Sequence, residues 1–345
     1  MADKLKLESL MIFGLLRDMK ADDANAYIGT YWAVKGKLYG DFLKWIRSNE
    51  PQLTDHGPEH IDDVLNNAYD LLENEYESLK SEESRAATYS GIELYILCMS
   101  ILFHDVGNFF KRDAHNLQIV TIINDMFSQF FYGETKRDKA HIIIAGRAHT
   151  GKKNSDTLKD VPEVEQSNRY KIHLRQIAAI VRLADELAEG AQRTCSYMLE
   201  KNLVKKESQI FHEYASVTQH MIDARNGRIN ITYDIELKWD VQKGPDESQK
   251  NKLRELLEYI HIRINKLNQE RKYCGYYCET LKKISETQVS FNFSNNDIQI
   301  DTSYAALILT DLTVPGDNEK NIIEGREDLQ IGQIVENLAN SFSHE

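Results

Sequence analysis

Proline is scarce in this chain: there are five in 345 residues, and none lies between Pro58 and Pro162. Long helices are therefore unobstructed over that stretch. Four cysteines, at positions 98, 195, 274 and 278, are too few and too scattered for a disulfide framework or a four-thiolate zinc site. Cys274 and Cys278 have the spacing of one helix face, but no second pair exists to complete a tetrahedron, so they read as free thiols. No apolar run reaches the roughly 20 residues of a membrane span, and "MADKLKLESLMIFGLLRDMK" at the N-terminus lacks a small-residue cleavage site. The expectation is a cytoplasmic protein with no membrane partner. Positive charge is also in deficit, with 42 Lys and Arg against 54 Asp and Glu, a formal net charge of −12. Affinity for long nucleic acid comes mostly from cations at phosphates, so such a partner is excluded, while a small anionic ligand needs only a local cationic pocket.

What is present is an ordinary globular composition, 41% hydrophobic and 28% charged, with no internal repeat and no low-complexity segment. The mixed apolar and charged pattern of residues 1–50 suits two or three helices. Further helices are expected at about 58–80, 91–105, 114–131, 136–149 and 168–190, with a polar surface loop at 151–170. Past residue 205 the character changes. "GRINITYDIELKW" alternates as a strand does, the segment from "ESQKNKLRELLEYI" onward reads as one long helix, and "QVSFNFSNNDIQIDT" reads as two short strands around an Asn-Asn-Asp turn. The fold class expected is mainly α, followed by a smaller α+β region with an acidic tail.

Three stretches carry chemistry. In "LTDHGPEHIDDVL" the aliphatic positions Ile61, Val64, Leu65, Ala68 and Leu71 recur at helical spacing, yet His56 and His60 stand around the Gly-Pro break where a core needs no imidazole. In "YILCMSILFHDVGNFF" a helix apolar nearly all round runs into His104 and Asp105, and a carboxylate delivered there costs several kcal/mol unless a cation or a set of donors satisfies it. In "IAAIVRLADELAEGAQR" Asp185 lies on the apolar stripe of Ala178, Val181 and Ala188; alone, it reads more readily as a partner of Arg182 or Arg193. Together, His60, His104, Asp105 and Asp185 offer two imidazoles and two carboxylates, a donor set suited to a divalent metal with open positions for water and substrate.

"HIDDV", "FHDVGN" and "RLADEL" resemble, in order and helical context, the HD superfamily of metal-dependent phosphohydrolases, over about residues 50–195. The resemblance implies an all-helical HD domain, placed at 51–204; with the patterns on either side, the organisation expected is an N-terminal helical cap at 1–50 packed on that domain and an α+β C-terminal region at 205–345. It implies that His60, His104, Asp105 and Asp185 bind a divalent metal (Mn, Mg, Co, Fe or Zn), with Asp105 also among the catalytic groups, and that an activated water attacks phosphorus. "HGPEH" is similar to the His-x3-His opening of the cyclic-nucleotide phosphodiesterase branch, which would make His56 the general acid, a role an imidazole fills near neutral pH. His115 suits a catalytic histidine placed soon after the pair, as in the nucleotide-triphosphate hydrolases of the superfamily. His149 with Arg112, Lys152 and Lys153 would form a cationic substrate-binding rim. The alternative places His115 and His149 on a second metal; the single-metal geometry is favoured, with both histidines facing a phosphate cleft. His141, His173, His212, His220 and His261 have no such neighbours and are left structural or exposed.

The function expected is hydrolysis of a phosphoester or phosphoanhydride in a small nucleotide or other phosphorylated substrate, of phosphodiesterase or nucleotide phosphatase type. Three other readings stay open: a nucleotide-sensing module without turnover, a di-iron oxygenase using all of His60, His104, Asp105, His115, His149 and Asp185, and a structural or scaffold protein, which leaves the four matching positions unexplained. A homo-oligomer or a signalling partner is compatible with the hydrolase and the sensor.

Overall fold

The computed structural model describes residues 5–342 apart from 50–53, 55, 111–113, 151–154, 202, 302–303, 312–322 and 324. Arg112, Lys152 and Lys153 thus lie outside the described residues. The chain divides into two compact units: Met1–Ala188 with Tyr273–Ile284, and Glu189–Lys272 with Ser285–Glu345.

The first unit is helical. Its elements are α1 (Lys6–Asp18), α2 (Ala21–Lys37), α3 (Leu43–Asn49), α4 (Pro58–Leu71), α5 (Tyr76–Leu79), α6 (Gly91–Phe103), α7 (His115–Ile122), α8 (Asp138–Arg147) and α9 (Leu174–Glu186). Every residue of α6 is buried, as its all-round apolar pattern demands. By length and composition Gly91–Phe109 is apolar enough to cross a membrane, but 94% of that window is buried inside the protein, so it is accounted for as the core helix. Its start is fixed by a capping box: Ser90 Oγ accepts from the Glu93 N–H, and Glu93 Oε2 accepts from the Ser90 N–H at 2.8 Å. There α1 crosses at backbone contact, since a Cβ on Gly91 would fall 2.2 Å from the carbonyl carbon of Gly14 and the nitrogen of Leu15.

Two sequence expectations are modified in this unit. The predicted 151–170 loop carries buried Leu158 and Val161 and leads into a two-stranded hairpin, β1 (Glu165–Ser167) with β2 (Tyr170–Ile172). The hairpin delays the start of α9 to Leu174, and its Ser167 hydroxyl donates to the fully buried Asp138 carboxylate. The helix expected over 114–131 is regular only to Ile122, then widens and tightens in turn through Phe130.

The second unit is α+β. It contains α10 (Ser196–Glu200), α11 (Lys206–Val217), β3 (Thr218–Asp223), β4 (Arg228–Glu236), α12 (Glu247–Tyr277), then, after α13 (Glu279–Lys282), the strands β5 (Glu286–Asn295), β6 (Ile298–Ile300) and β7 (Leu307–Thr310), and finally α14 (Ile331–Ser341). The last turn of α12 and all of α13 are counted in the first unit. The sheet order is β3-β4-β5-β6, with β7 also on β5. β4 and β5 are parallel, and α12 supplies the long crossover a parallel pair requires. Ile229, Ile231, Tyr233 and Ile235 are buried at period two and Leu253, Leu257, Ile260, Ile264 and Leu267 at period three to four, so a strand face and a helix stripe close the core. The β5–β6 turn turns on Asn296 and Asp297, both at positive φ (51° and 63°), the conformation a two-residue hairpin loop needs and Asn and Asp tolerate.

Candidate metal centre

Three helix ends deliver the first donor group. Pro58 opens α4 with no wasted donor, and His60, in the first turn, sits 1% exposed on the same buried stripe as Ile61, Val64 and Leu65. His104 and Asp105 leave the C-terminus of α6, where His104 continues the helical backbone and Asp105 departs from it at φ −107°, ψ 3°. Asp185 is in the last turn of α9, and Asn67 of α4 donates to the Ala184 carbonyl at 3.0 Å, holding those two helix ends together.

Asp105 is the hinge of the arrangement. Its Oδ2 lies 3.5 Å from Nε2 of both His60 and His104, and Asp185 Oδ1 lies 3.3 Å from the same two nitrogens, which are themselves 3.3 Å apart. Its Oδ1 faces the other way, 3.2 Å from His115 Nε2 and 3.6 Å from His149 Nε2, with those nitrogens 3.0 Å apart. The donors thus form two groups that could each hold a metal ion, one of His60, His104, Asp105 and Asp185, the other of Asp105, His115 and His149.

The donor chemistry fits a metal. Ligands about 2.1 Å from one ion stand roughly 3.0 Å apart at an octahedral edge and about 3.4 Å apart at a tetrahedral one, close to the separations of 3.0 to 3.6 Å found here. Carbonyl oxygens only accept, so His104 Nδ1 must donate to Ile101 (2.8 Å) and His149 Nδ1 to Gly146 (2.6 Å). Those bonds turn each Nε2 toward the carboxylates and set the rings as ligand-orienting carbonyl bonds do. Electrostatics agrees. Burial alone would lower the His104 pKa, but the Asp105 and Asp185 carboxylates outweigh it and raise the pKa to about 9. Burial likewise pushes the two carboxyls up, and the charge and hydrogen bonds of the surrounding histidines bring both well below the ordinary aspartate range. His149 goes the other way, lowered chiefly by burial, which keeps a neutral imidazole available as a ligand. The negative field that holds a proton on His104 is the field a dication would neutralise.

The structure therefore brings together His56, His60, His104, Asp105, His115, His149 and Asp185. His56 Nδ1 donates to Asp105 Oδ2 at 2.7 Å and is 6% exposed. Asp185 finds its partners in His60 and His104, and Arg182 is turned to the Thr157 hydroxyl at 2.9 Å and stacked over Tyr273. His115 and His149 converge on Asp105 and on each other. Sequence reasoning passed over Gly107, although "HDVGN" displays it: a Cβ there would fall 1.8 Å from the His115 carbonyl oxygen. The bare backbone lets the chain double back so that His115, at the start of α7 after Ala114 in the left-handed region (φ 57°), reaches Asp105. Glu93 was also missed, although Ser-x-x-Glu before an apolar run is a sequence signal for a helix start.

A family model, HD-CE, matches residues 50–266, which takes in every residue of this site and runs on through β4 and most of α12. No curated protein and no solved structure matches the chain.

Proposed function

The chain belongs to the HD-CE family, and from that premise we propose that it is a metal-dependent phosphohydrolase acting on a nucleotide. The observation that carries the reading is the division of Asp105, one carboxylate oxygen to each of two donor groups. Residues His60, His104, Asp105 and Asp185 would hold one divalent ion and Asp105, His115 and His149 a second, the two-metal alternative in place of the single ion that the sequence favours. Ions held there supply Lewis acidity toward a phosphoryl oxygen and a lowered pKa for water. His56, anchored through Nδ1 to Asp105, would give a proton to the leaving oxygen, the general-acid role. Arg112, Lys152 and Lys153, near His115 and His149 in sequence, would meet the phosphate oxygens.

The test is metal analysis of purified protein, followed by a nucleotide panel run with Mn²⁺, Mg²⁺, Co²⁺ and Fe²⁺. Release of phosphate or opening of a phosphodiester that depends on added ion supports the reading. Failure to bind any of the four ions ends it, and nucleotide binding without turnover under all four assigns a sensor. The same six side chains are the set a di-iron oxygenase needs, so the panel includes oxygen uptake by the iron-loaded protein; uptake without phosphate release would select that reading instead.

A further inference from the structure

β3 is an outer edge of the sheet in the second unit. The order β3-β4-β5-β6 leaves it bonded to β4 alone, and beyond that ladder the backbone of residues 219–223 makes no backbone hydrogen bond among the described residues. Residues of an antiparallel strand alternate between turning N–H and C=O toward the neighbour and turning them away. This edge therefore presents donors and acceptors that no described backbone group meets. The opposite edge is broken up: past β5 it consists of β6, three residues long, and β7, four. Short edge strands are one way a sheet avoids pairing with other chains, and lysine, proline and bulges are others. β3 has none of these guards. Its six residues pair with β4 without a bulge, it contains no proline and no lysine, and its one charged residue, Asp223, stands at the end.

The strand is also fixed from behind. Its inward face carries Thr218, His220 and Ile222, opposite the buried Tyr233, Ile231 and Ile229 of β4, and His220 Nδ1 donates to the Glu189 carbonyl at 3.0 Å. Its outward face carries Gln219 and Met221, both exposed, Met221 to 61%. An edge already held in strand geometry costs less to pair than one that must first be ordered.

We propose that a second copy of the chain pairs with this edge, β3 against β3 and antiparallel about a two-fold axis, joining the two sheets into one. For both cores to lie on the same side of the joined sheet, opposed residues must share a face, which puts the axis through a residue and not between two. An axis through His220 would oppose two imidazoles and draw in Thr218, whose N–H is already given to the Ala215 carbonyl of α11. An axis through Ile222 would set His220 against Ala224, past the end of the strand. An axis through Met221 keeps the pairing inside β3: Met221 meets Met221, His220 meets Ile222 and Gln219 meets Asp223. No like charges are opposed, and the exposed methionine gains an apolar partner. The strand is thus complementary to itself, as a two-fold interface requires, and this favours a copy of the chain over an unrelated strand.

Sedimentation velocity of the full chain reads the association, and engineered disulfides read the register. A strand pair is a small interface, so the dimer should be reversible, with a dissociation constant of about micromolar order, and should dominate at about 100 μM with twice the 39.9 kDa mass of the chain. Met221→Lys sets like charges against each other across the axis at an exposed position, and should weaken the dimer about tenfold or more with metal content and melting midpoint unchanged. In a Cys195→Ser background, which removes the exposed native thiol, Met221→Cys should oxidise to a covalent dimer, because directly opposed residues have Cα atoms roughly 4.5–5.5 Å apart, within disulfide reach. Gln219→Cys should not, since its two copies would stand about 13 Å apart along the strands. A monomer at about 100 μM overturns the proposal and leaves the edge to a strand of another protein. A dimer that Met221→Lys leaves as tight as wild type also overturns it, as does one in which Met221→Cys stays unlinked or Gln219→Cys links as readily.

Discussion

A carboxylate that serves two donor groups gives single substitutions unequal consequences. Asp105→Ala removes a ligand from both groups, so the variant should lose all bound divalent ion and all hydrolysis while circular dichroism shows a folded chain; full activity in it would end the metal-hydrolase reading. Asp185→Ala touches one group only and should leave the His115–His149 ion in place, which elemental analysis of desalted protein reads as partial and not complete loss. Gly107→Ala makes the converse cut. The added methyl must displace the His115 backbone from its 1.8 Å clash, so the second ion should be lost first, with His60, His104 and Asp185 still loaded; wild-type stoichiometry in this variant would show that the 107–115 turn yields without moving His115. His56→Ala should keep its ions and lose roughly 10²- to 10⁴-fold in rate, the ordinary worth of a general acid, whereas loss of metal would make His56 a ligand. The first donor group was readable from sequence because each member stands beside a periodic apolar stripe that places it on a core-facing helix end. The convergence of His115 and His149 was legible only as an alternative that the family resemblance offered, because it depends on a glycine contact and a left-handed residue that have no period.

At the scale of elements, Glu93 ties together the helices that carry the ligands. One carboxylate oxygen caps the start of α6, and the other accepts from both the backbone N–H and the Nδ1 of His173, each at 2.8 Å, immediately before α9. The bond to Glu93 is the largest influence on the His173 pKa and, against opposing burial, raises it. A histidine whose folded pKa is raised stabilises the protein fully below its unfolded pKa of about 6.5, and that contribution disappears as pH climbs through the folded value. His173→Gln should therefore cost stability at acid pH and little above the folded pKa, by no more than about 1 kcal/mol because the imidazole is a third exposed. Melting curves of wild type and variant should converge as pH rises, and a gap that widens instead would show the imidazole bound neutral. Helices α4, α6 and α12 and the strand β4 followed from apolar periodicity alone. The β1–β2 hairpin did not, since its three-residue strands carry mostly polar side chains and are held by long-range bonds such as that of Ser167 to Asp138, which propensity cannot register.

The whole molecule is less linear than its sequence. α12 starts in the second unit, but Tyr273–Ile284 is counted with the first, and the reasons are specific. Tyr273 and Tyr277 donate to the two oxygens of Asp156 at 2.8 and 2.5 Å, Tyr273 also accepts from the Leu158 N–H, Thr280 bonds Tyr89 at 2.9 Å, and Lys283 pairs with Glu75. Cys278 and Leu281 are buried at 1% and 0% exposure. Apolar periodicity reports that a segment is a helix and which face is covered, but it carries no address for the cover, so the return of this segment could not be read in advance. A fragment ending at residue 204 retains every proposed metal ligand and loses this segment. Uncovering Leu281 alone forfeits about 1.5–3 kcal/mol of burial, and Tyr89 and Glu75 lose their partners, against a total stability of only about 5–15 kcal/mol for a typical domain. The fragment should therefore melt well below the full chain, bind a hydrophobic dye and hold its ions weakly, and a fusion of 1–204 to 273–284 through a flexible linker should recover much of the difference. If the bare fragment melts with the full chain's midpoint and ion content, the returning segment is decoration on a unit already complete without it.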